Sequence, residues 1–240
     1  MTVLVIAGTG TGIGKTVVTA AVAATALGAL HRVAVLKPAQ TGVAAGEPGD
    51  ADEVRRLAGE LTTREVRRYA EPLAPDTAAR RSGIPPVRPA EAAAVAVELA
   101  RQHDLVLIEG AGGLLVRLDA DGGTVADVAW SLGASVLVVA EAGLGTLNAT
   151  ALTTEVLARR GLTCAGVVIG SWPADPDLAA RCNVEDLPAV SGVPLVGVLP
   201  AGAGALSPQE FRRAAPTWLA ASLGGEFSHK DFVDQLARGR

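Results

Sequence analysis

One junction constrains this chain more than any other: a short apolar run that passes straight into a glycine-dense loop and then into an alanine-rich stretch. Thr2–Ala7 reads as a strand, and Gly8-Thr9-Gly10-Thr11-Gly12-Ile13-Gly14-Lys15-Thr16 follows it. Glycines let successive backbone N–H groups turn inward around an anion. The helix expected from Lys15 to Ala29 adds the partial positive charge of its amino terminus. Lys15 can then reach the β- and γ-phosphates of a nucleoside triphosphate, and the Thr16 hydroxyl can ligate Mg²⁺. Five residues separate Gly8 from Gly14, one more than the strict phosphate-loop pattern allows, so the motif is a loose one. The competing reading is an ordinary glycine-rich turn between strand and helix.

Further strands are expected at Arg32–Leu36, Asp104–Ile108, Ser135–Ala140, Thr163–Ile169 and Leu195–Leu199. Helical patterns lie at Ala51–Ala58, Pro89–Gln102, Thr146–Arg160 and Pro208–Ser222. Such alternation means βαβ units and a mostly parallel, doubly wound sheet with helices on both faces, the phosphate-loop NTPase architecture. Hydrophobic residues make up 49% of the chain but aromatics only 3%, so Val, Leu, Ile and Ala must fill the core, as parallel sheets require. No linker divides the 240 residues, and we expect one domain over 1–225 and a charged tail over 226–240. The tail can form a short helix capped by Ser228, with Asp231 three residues on. Residues Glu71–Pro89 read as a surface excursion.

Ligands of such sheets sit beyond the carboxyl ends of the strands. The polar and glycine-rich segments fall there: Gly8–Thr16, Lys37–Gly42, Glu109–Gly113, Glu141–Thr146, Gly170–Asp177 and Pro200–Gly204. Lys37 precedes Pro38, which restricts its backbone, and stands where a second cation could meet a γ-phosphate. The competing reading is a strand-end lysine that extends into solvent. Glu109 follows the apolar run Leu105–Ile108 and has the position of a carboxylate that holds Mg²⁺. Asp50 opens the helix after the second strand, as either its N-cap or a metal ligand.

Several functions are disfavoured. Net charge is −4, and the basic pairs Arg55-Arg56 and Arg80-Arg81 read as solvated positions, so no nucleic-acid partner is expected. Cys164 and Cys182 read as free thiols of a reducing compartment, and His31, His103 and His229 are too scattered to make a metal site. The start of the chain lacks a basic n-region, and no apolar stretch reaches membrane-spanning length uninterrupted. A soluble cytoplasmic protein without a membrane partner is the expectation.

Together, the segments Gly8–Thr16, Lys37–Gly42, Gly49-Asp50-Ala51, Glu109–Leu114, Gly143–Asn148 and Pro194–Pro200 resemble the dethiobiotin synthetase family, in the family's order over most of the chain. The resemblance implies an ATP- and Mg²⁺-dependent ligase that converts 7,8-diaminononanoate and CO₂ to dethiobiotin in biotin biosynthesis. Its course would run through an N-carbamate and a carbamic–phosphoric anhydride. It implies that Lys37 and Lys15 are catalytic and that Thr16, Asp50 and Glu109 hold the metal. Gly12, Ile13, Gly14, Lys15, Thr16 and Val17 would meet the nucleotide, with Asp50, Glu109, Gly110, Ala111 and Gly112 beside the reacting groups. Gly170, Ser171, Pro200, Ala201 and Gly202 would face the base. Thr11 and Thr41 would bind the diamine, and Gly145 and Asn148 would reach the substrate carboxylate of a neighbouring subunit. A homodimer with active sites at its interface follows.

Three positions depart from the family pattern. Gly12 stands where many members carry an acidic residue, and Ala149 where a histidine follows the asparagine. Gly170 replaces an asparagine that reads adenine, so the nucleoside triphosphate should be read loosely. Two other classes share the architecture. Partitioning-type ATPases usually carry an extra lysine near the place of Gly10, and corrin-ring amidotransferases need a glutaminase domain for which this chain has no room.

Overall fold

The structure is a computed structural model and describes residues 2–238. Residues 1, 239 and 240, the last two belonging to the expected tail, lie outside it. Seven strands form one sheet: β1 (Thr2–Gly8), β2 (Val33–Thr41), β3 (Thr62–Tyr69), β4 (Leu105–Gly113), β5 (Ser135–Ala140), β6 (Cys164–Trp172) and β7 (Leu195–Pro200). Their order is β3-β2-β4-β1-β5-β6-β7, and every pairing is parallel. The helices are α1 (Lys15–Gly28), α2 (Asp50–Ala58), α3 (Pro75–Ser82), α4 (Pro89–Ala100), α5 (Val125–Leu132), α6 (Thr146–Arg159), α7 (Leu178–Ser191), α8 (Pro208–Trp218) and α9 (His229–Arg238).

Strand side chains alternate between the two faces, so each strand feeds two cores. Leu4 and Ile6 of β1 pack with Val18, Val22, Leu57 and Phe211 of α1, α2 and α8. Val5 and Ala7 join Ala96, Val128, Leu157 and Leu187 from α4 to α7 on the opposite face. α9 also docks there, with Phe232 edge-to-face against Trp172 at 5.3 Å between ring centres. The Asp231 N–H donates to Ser228 Oγ at 3.3 Å, as expected of the cap.

Several sequence readings need correction. β3 was not expected, because Arg64, Glu65, Arg67 and Arg68 hide its period; the charges suit a sheet edge that must not pair with another chain. β2 does not end at Leu36 but runs to Thr41. The excursion over Glu71–Pro89 contains α3, and α5 and α7 were overlooked. Pro188 inside α7 masks its helical pattern. The last long helix stops at Trp218, and a 3₁₀ turn at Ala221–Leu223 follows it.

One feature of the sheet places the site. β2 pairs with β4 only from Val33↔Leu105 to Leu36↔Ile108, while its pairing with β3 continues to Thr41↔Tyr69. Past Leu36 the two strands part, which is why Pro38 is tolerated in an interior strand. β4 buckles at the same level, since its register against β1 shifts between Ile6↔Glu109 and Gly8↔Gly113. The crevice opened between β2 and β4 lies beside the phosphate loop, at the carboxyl rim of the sheet. Among the described residues no helix is long and apolar enough to cross a membrane.

Candidate active site

A cavity of about 440 Å³ occupies this crevice. It gathers Thr11, Gly12, Gly14, Lys15, Thr16 and Val17 from the loop and α1, and Lys37 and Thr41 from β2. Asp50 of α2 and Glu109, Ala111 and Gly112 of β4 complete the expected set there. A recess of about 540 Å³ at the amino ends of the strands, lined by Val3, Leu4, Val22 and Leu223, has no lysine in its wall.

The phosphate loop takes its shape from glycines with positive φ, 76° at Gly12 and 93° at Gly14. Ile13 is buried beneath the loop as its apolar anchor and does not line the cavity. The Lys15 ammonium folds back and donates to Gly10 O at 2.7 Å. Burial first, and the neighbouring Lys37 charge second, push its pKa down to about 8.

Lys37 is the centre of the charge arrangement. It is only 4% exposed, and its Nζ lies 2.5 Å from Asp50 Oδ2 and 2.8 Å from Glu109 Oε1. A further contact runs to Gly110 O at 3.3 Å, the one part taken by Gly110. Burial acts to strip this ammonium of its proton; Glu109 and then Asp50 outweigh it and hold the pKa above the ordinary lysine value. The reading in which Lys37 snorkels into solvent is therefore excluded.

The cap reading of Asp50 is excluded as well. The N-cap of α2 is Gly49, whose N–H donates to Asp52 Oδ2 at 3.0 Å, while the Asp50 carboxylate turns to Lys37. Thr16 Oγ1 donates to Glu109 Oε1 at 2.9 Å, so Thr16, Asp50 and Glu109 converge around one point. Glu109 Oε2 is buried without a hydrogen-bond partner. These are hard oxygen donors with one left unsatisfied, a chemistry that fits Mg²⁺.

One contributor escaped the sequence reading. Gln40, 3% exposed, accepts from Asp50 N–H at 2.8 Å and so fixes the start of α2 against β2. Its signal was the neighbouring Gly49, where a Cβ would stand 2.8 Å from Gln40 Oε1.

Other expected residues lie elsewhere. Gly170 is buried, and its carbonyl lies against Gly14; a Cβ at 170 would run into the Ile13 carbonyl. Its backbone is thus the seat of the phosphate loop rather than an open surface for the base. Ser171, Pro200, Ala201 and Gly202 are exposed at the neighbouring strand ends, joined by Ala201 N–H donating to Trp172 O at 2.7 Å. Gly145 and Asn148 are exposed at the start of α6, outside the cavity. Ala149 and Asn148 line a separate groove with Leu115 and Leu152.

A parallel sheet with a glycine-rich loop seated on a helix amino terminus, and two lysines and two carboxylates at its rim, defines a phosphate-loop protein that uses nucleotides. Among solved structures it is similar to a ParA family ATPase from Chlorobium tepidum, with a TM-score of 0.56 and 14% identity over 98% of each chain. It is also similar to the cell division ATPase MinD of Pyrococcus furiosus, with a TM-score of 0.53 and 18% identity over 100% of this chain and 99% of that one. These likenesses establish the fold alone. The family model described as an AAA domain matches residues 2–207. The ATP-dependent dethiobiotin synthetase BioD of Saccharopolyspora erythraea is 67% identical over 95% of this chain and all of its own length. That of Streptomyces coelicolor is 64% identical over 98% of this chain and 99% of its own. The chain belongs to the ATP-dependent dethiobiotin synthetase family, a family of enzymes.

Proposed function

We propose that this enzyme closes the ureido ring of dethiobiotin from 7,8-diaminononanoate and CO₂ at the expense of ATP. The observation that supports this best is the buried Lys37 ammonium held beside the phosphate loop, between Asp50 and Glu109. One amine of the substrate adds to CO₂ and loses a proton, giving a carbamate. A carbamate oxygen then attacks the γ-phosphorus and ADP departs. The second amine attacks the carbamoyl carbon of the mixed anhydride, phosphate leaves, and a second proton is lost as the ring closes.

A carbamate is a poor nucleophile, and a negatively charged one cannot approach a polyphosphate unless charge is neutralised. Lys15 and Lys37 supply two largely buried cations, each of which acts more strongly than it would in water. Thr16, Asp50 and Glu109 would hold Mg²⁺, which when bound would neutralise phosphate charge. Thr11 and Thr41 line a second recess with Pro72, Leu73 and Pro75, where a diamine with an aliphatic chain can lie next to the reacting groups. Gly145 and Asn148 would take the substrate carboxylate of the neighbouring subunit. Leu115, Leu144 and Leu152 leave exposed apolar surface around Asn148, which suits a homodimer face.

Metal titration tests the assignment of the carboxylates. Asp50→Asn and Glu109→Gln should each fold normally and need on the order of tenfold or more Mg²⁺ for half-maximal rate. Unchanged Mg²⁺ dependence in both would remove them from the metal site.

A further inference from the structure

The turn between β5 and α6, residues 141–145, is poorly held by its own atoms. It contains Gly143 and Gly145, the latter at φ 95°, and Leu144 projects outward 90% exposed. α6 begins without a side-chain cap and without an acidic residue in its first turn. Its amino terminus therefore keeps free N–H groups and an uncompensated partial positive charge. Inside, the Thr146 and Thr150 hydroxyls are buried with no hydrogen-bond partner, so the first turns of α6 take no anchor from them.

The anchor comes from α7. Asn183 is 5% exposed, and its Nδ2 donates to two successive carbonyls of the turn, Ala142 O at 2.8 Å and Gly143 O at 2.9 Å. Among the described residues no other side chain hydrogen-bonds residues 141–145. One amide thus fixes a glycine-containing turn at carbonyls four and three residues before α6 starts.

We propose that Asn183 is the positioning residue for the carboxylate end of the diamine. It touches no substrate; it sets the direction in which Gly145, the first N–H groups of α6 and Asn148 are presented. The inference rests on the proposal above that these groups receive the substrate carboxylate. Misplacing such groups weakens binding of the carboxylated chain and leaves the phosphate loop, which packs with α1 in the core on the opposite face of the sheet from α7, untouched.

The test compares 7,8-diaminononanoate with 2,3-diaminononane, the same diamine bearing a methyl group in place of the carboxylate, in wild type, Asn183→Leu and Asn183→Ser. Leu keeps the volume and removes the donors; Ser keeps one donor and serves should Leu fail to fold. Wild type should prefer the carboxylated substrate. Asn183→Leu should lose on the order of tenfold in kcat/KM for diaminononanoate, through KM, with the KM for ATP and the rate with 2,3-diaminononane within about twofold of wild type. Asn183→Ser should fall between. Equal losses for both substrates, or none in either variant, would overturn the positioning role while leaving the carboxylate reading intact. A wild type indifferent to the carboxylate would overturn both.

Discussion

A lysine ammonium buried at position 37 keeps its proton only because two carboxylates face it at hydrogen-bonding distance. That arrangement predicts different fates for the two lysines when each is perturbed. Lys37→Ala should still bind nucleotide, since the phosphate loop is unchanged, yet lose about 10²–10³-fold in ring closure, as removal of a transition-state charge donor does. Calorimetry and steady-state rates on one preparation check both halves; half of wild-type activity would exclude Lys37 from the chemistry. Lys15 has the opposite imbalance, its pKa pushed down to about 8 by burial and by Lys37. Phosphates stabilise the charged form, so nucleotide binding must raise that pKa. Near pH 8 the complex should take up protons as it forms, and affinity should decline as pH rises through that value. Titration calorimetry in two buffers of different ionisation heat measures the uptake, and none at pH 8 would contradict the assignment.

At the scale of elements, much of the architecture was legible because apolar runs and glycines mark strand ends directly. β1, the phosphate loop and α1 fall where the period and the glycines of residues 2–29 put them. What stayed hidden was decided by neighbours. β3 reads as a charged loop, since edge strands carry the charges that buried strands exclude. The divergence of β2 from β4 is a property of two segments 72 residues apart, and no local pattern shows it. Asp50 was open between two roles until the structure turned its carboxylate to Lys37 and gave the cap interaction to Asp52.

The strand ends also bear on the base. Gly170 was read as a missing base contact; the structure uses it as the seat of the phosphate loop, where a side chain has no space. In the proposed reading base recognition would fall to Ser171 and Pro200–Gly202, which are exposed and carry no long polar side chain. Losing one good base contact costs about 1–3 kcal/mol of discrimination. CTP, GTP and UTP should therefore support turnover within about tenfold of ATP in kcat/KM, since phosphate contacts supply most of the affinity. A preference for ATP above about a thousandfold, more than one such contact supplies, would mean that a base reader lies elsewhere in the fold.

The whole molecule places a tightly held charge cluster in the crevice between β2 and β4 and, to its side, a less tightly held turn that is proposed to face the substrate carboxylate. The cluster was legible as residue types, since Lys15 and Asp50 open helices and Lys37 and Glu109 directly follow the apolar runs of β2 and β4; its geometry was not. The groove that carries Asn148 and the apolar residues Leu115 and Leu152 is separate from the cavity in one chain. That separation accords with a second subunit completing the site, and sedimentation of the purified protein should give a dimer. The central claim is that CO₂ becomes the ring carbonyl at the cost of one ATP. It is tested most directly by incubating the enzyme with 7,8-diaminononanoate, ATP, Mg²⁺ and ¹³C-bicarbonate. The account predicts an acid-stable product with one labelled ureido carbon for each phosphate released; phosphate release without label in the product, or release that needs no diamine, would contradict it.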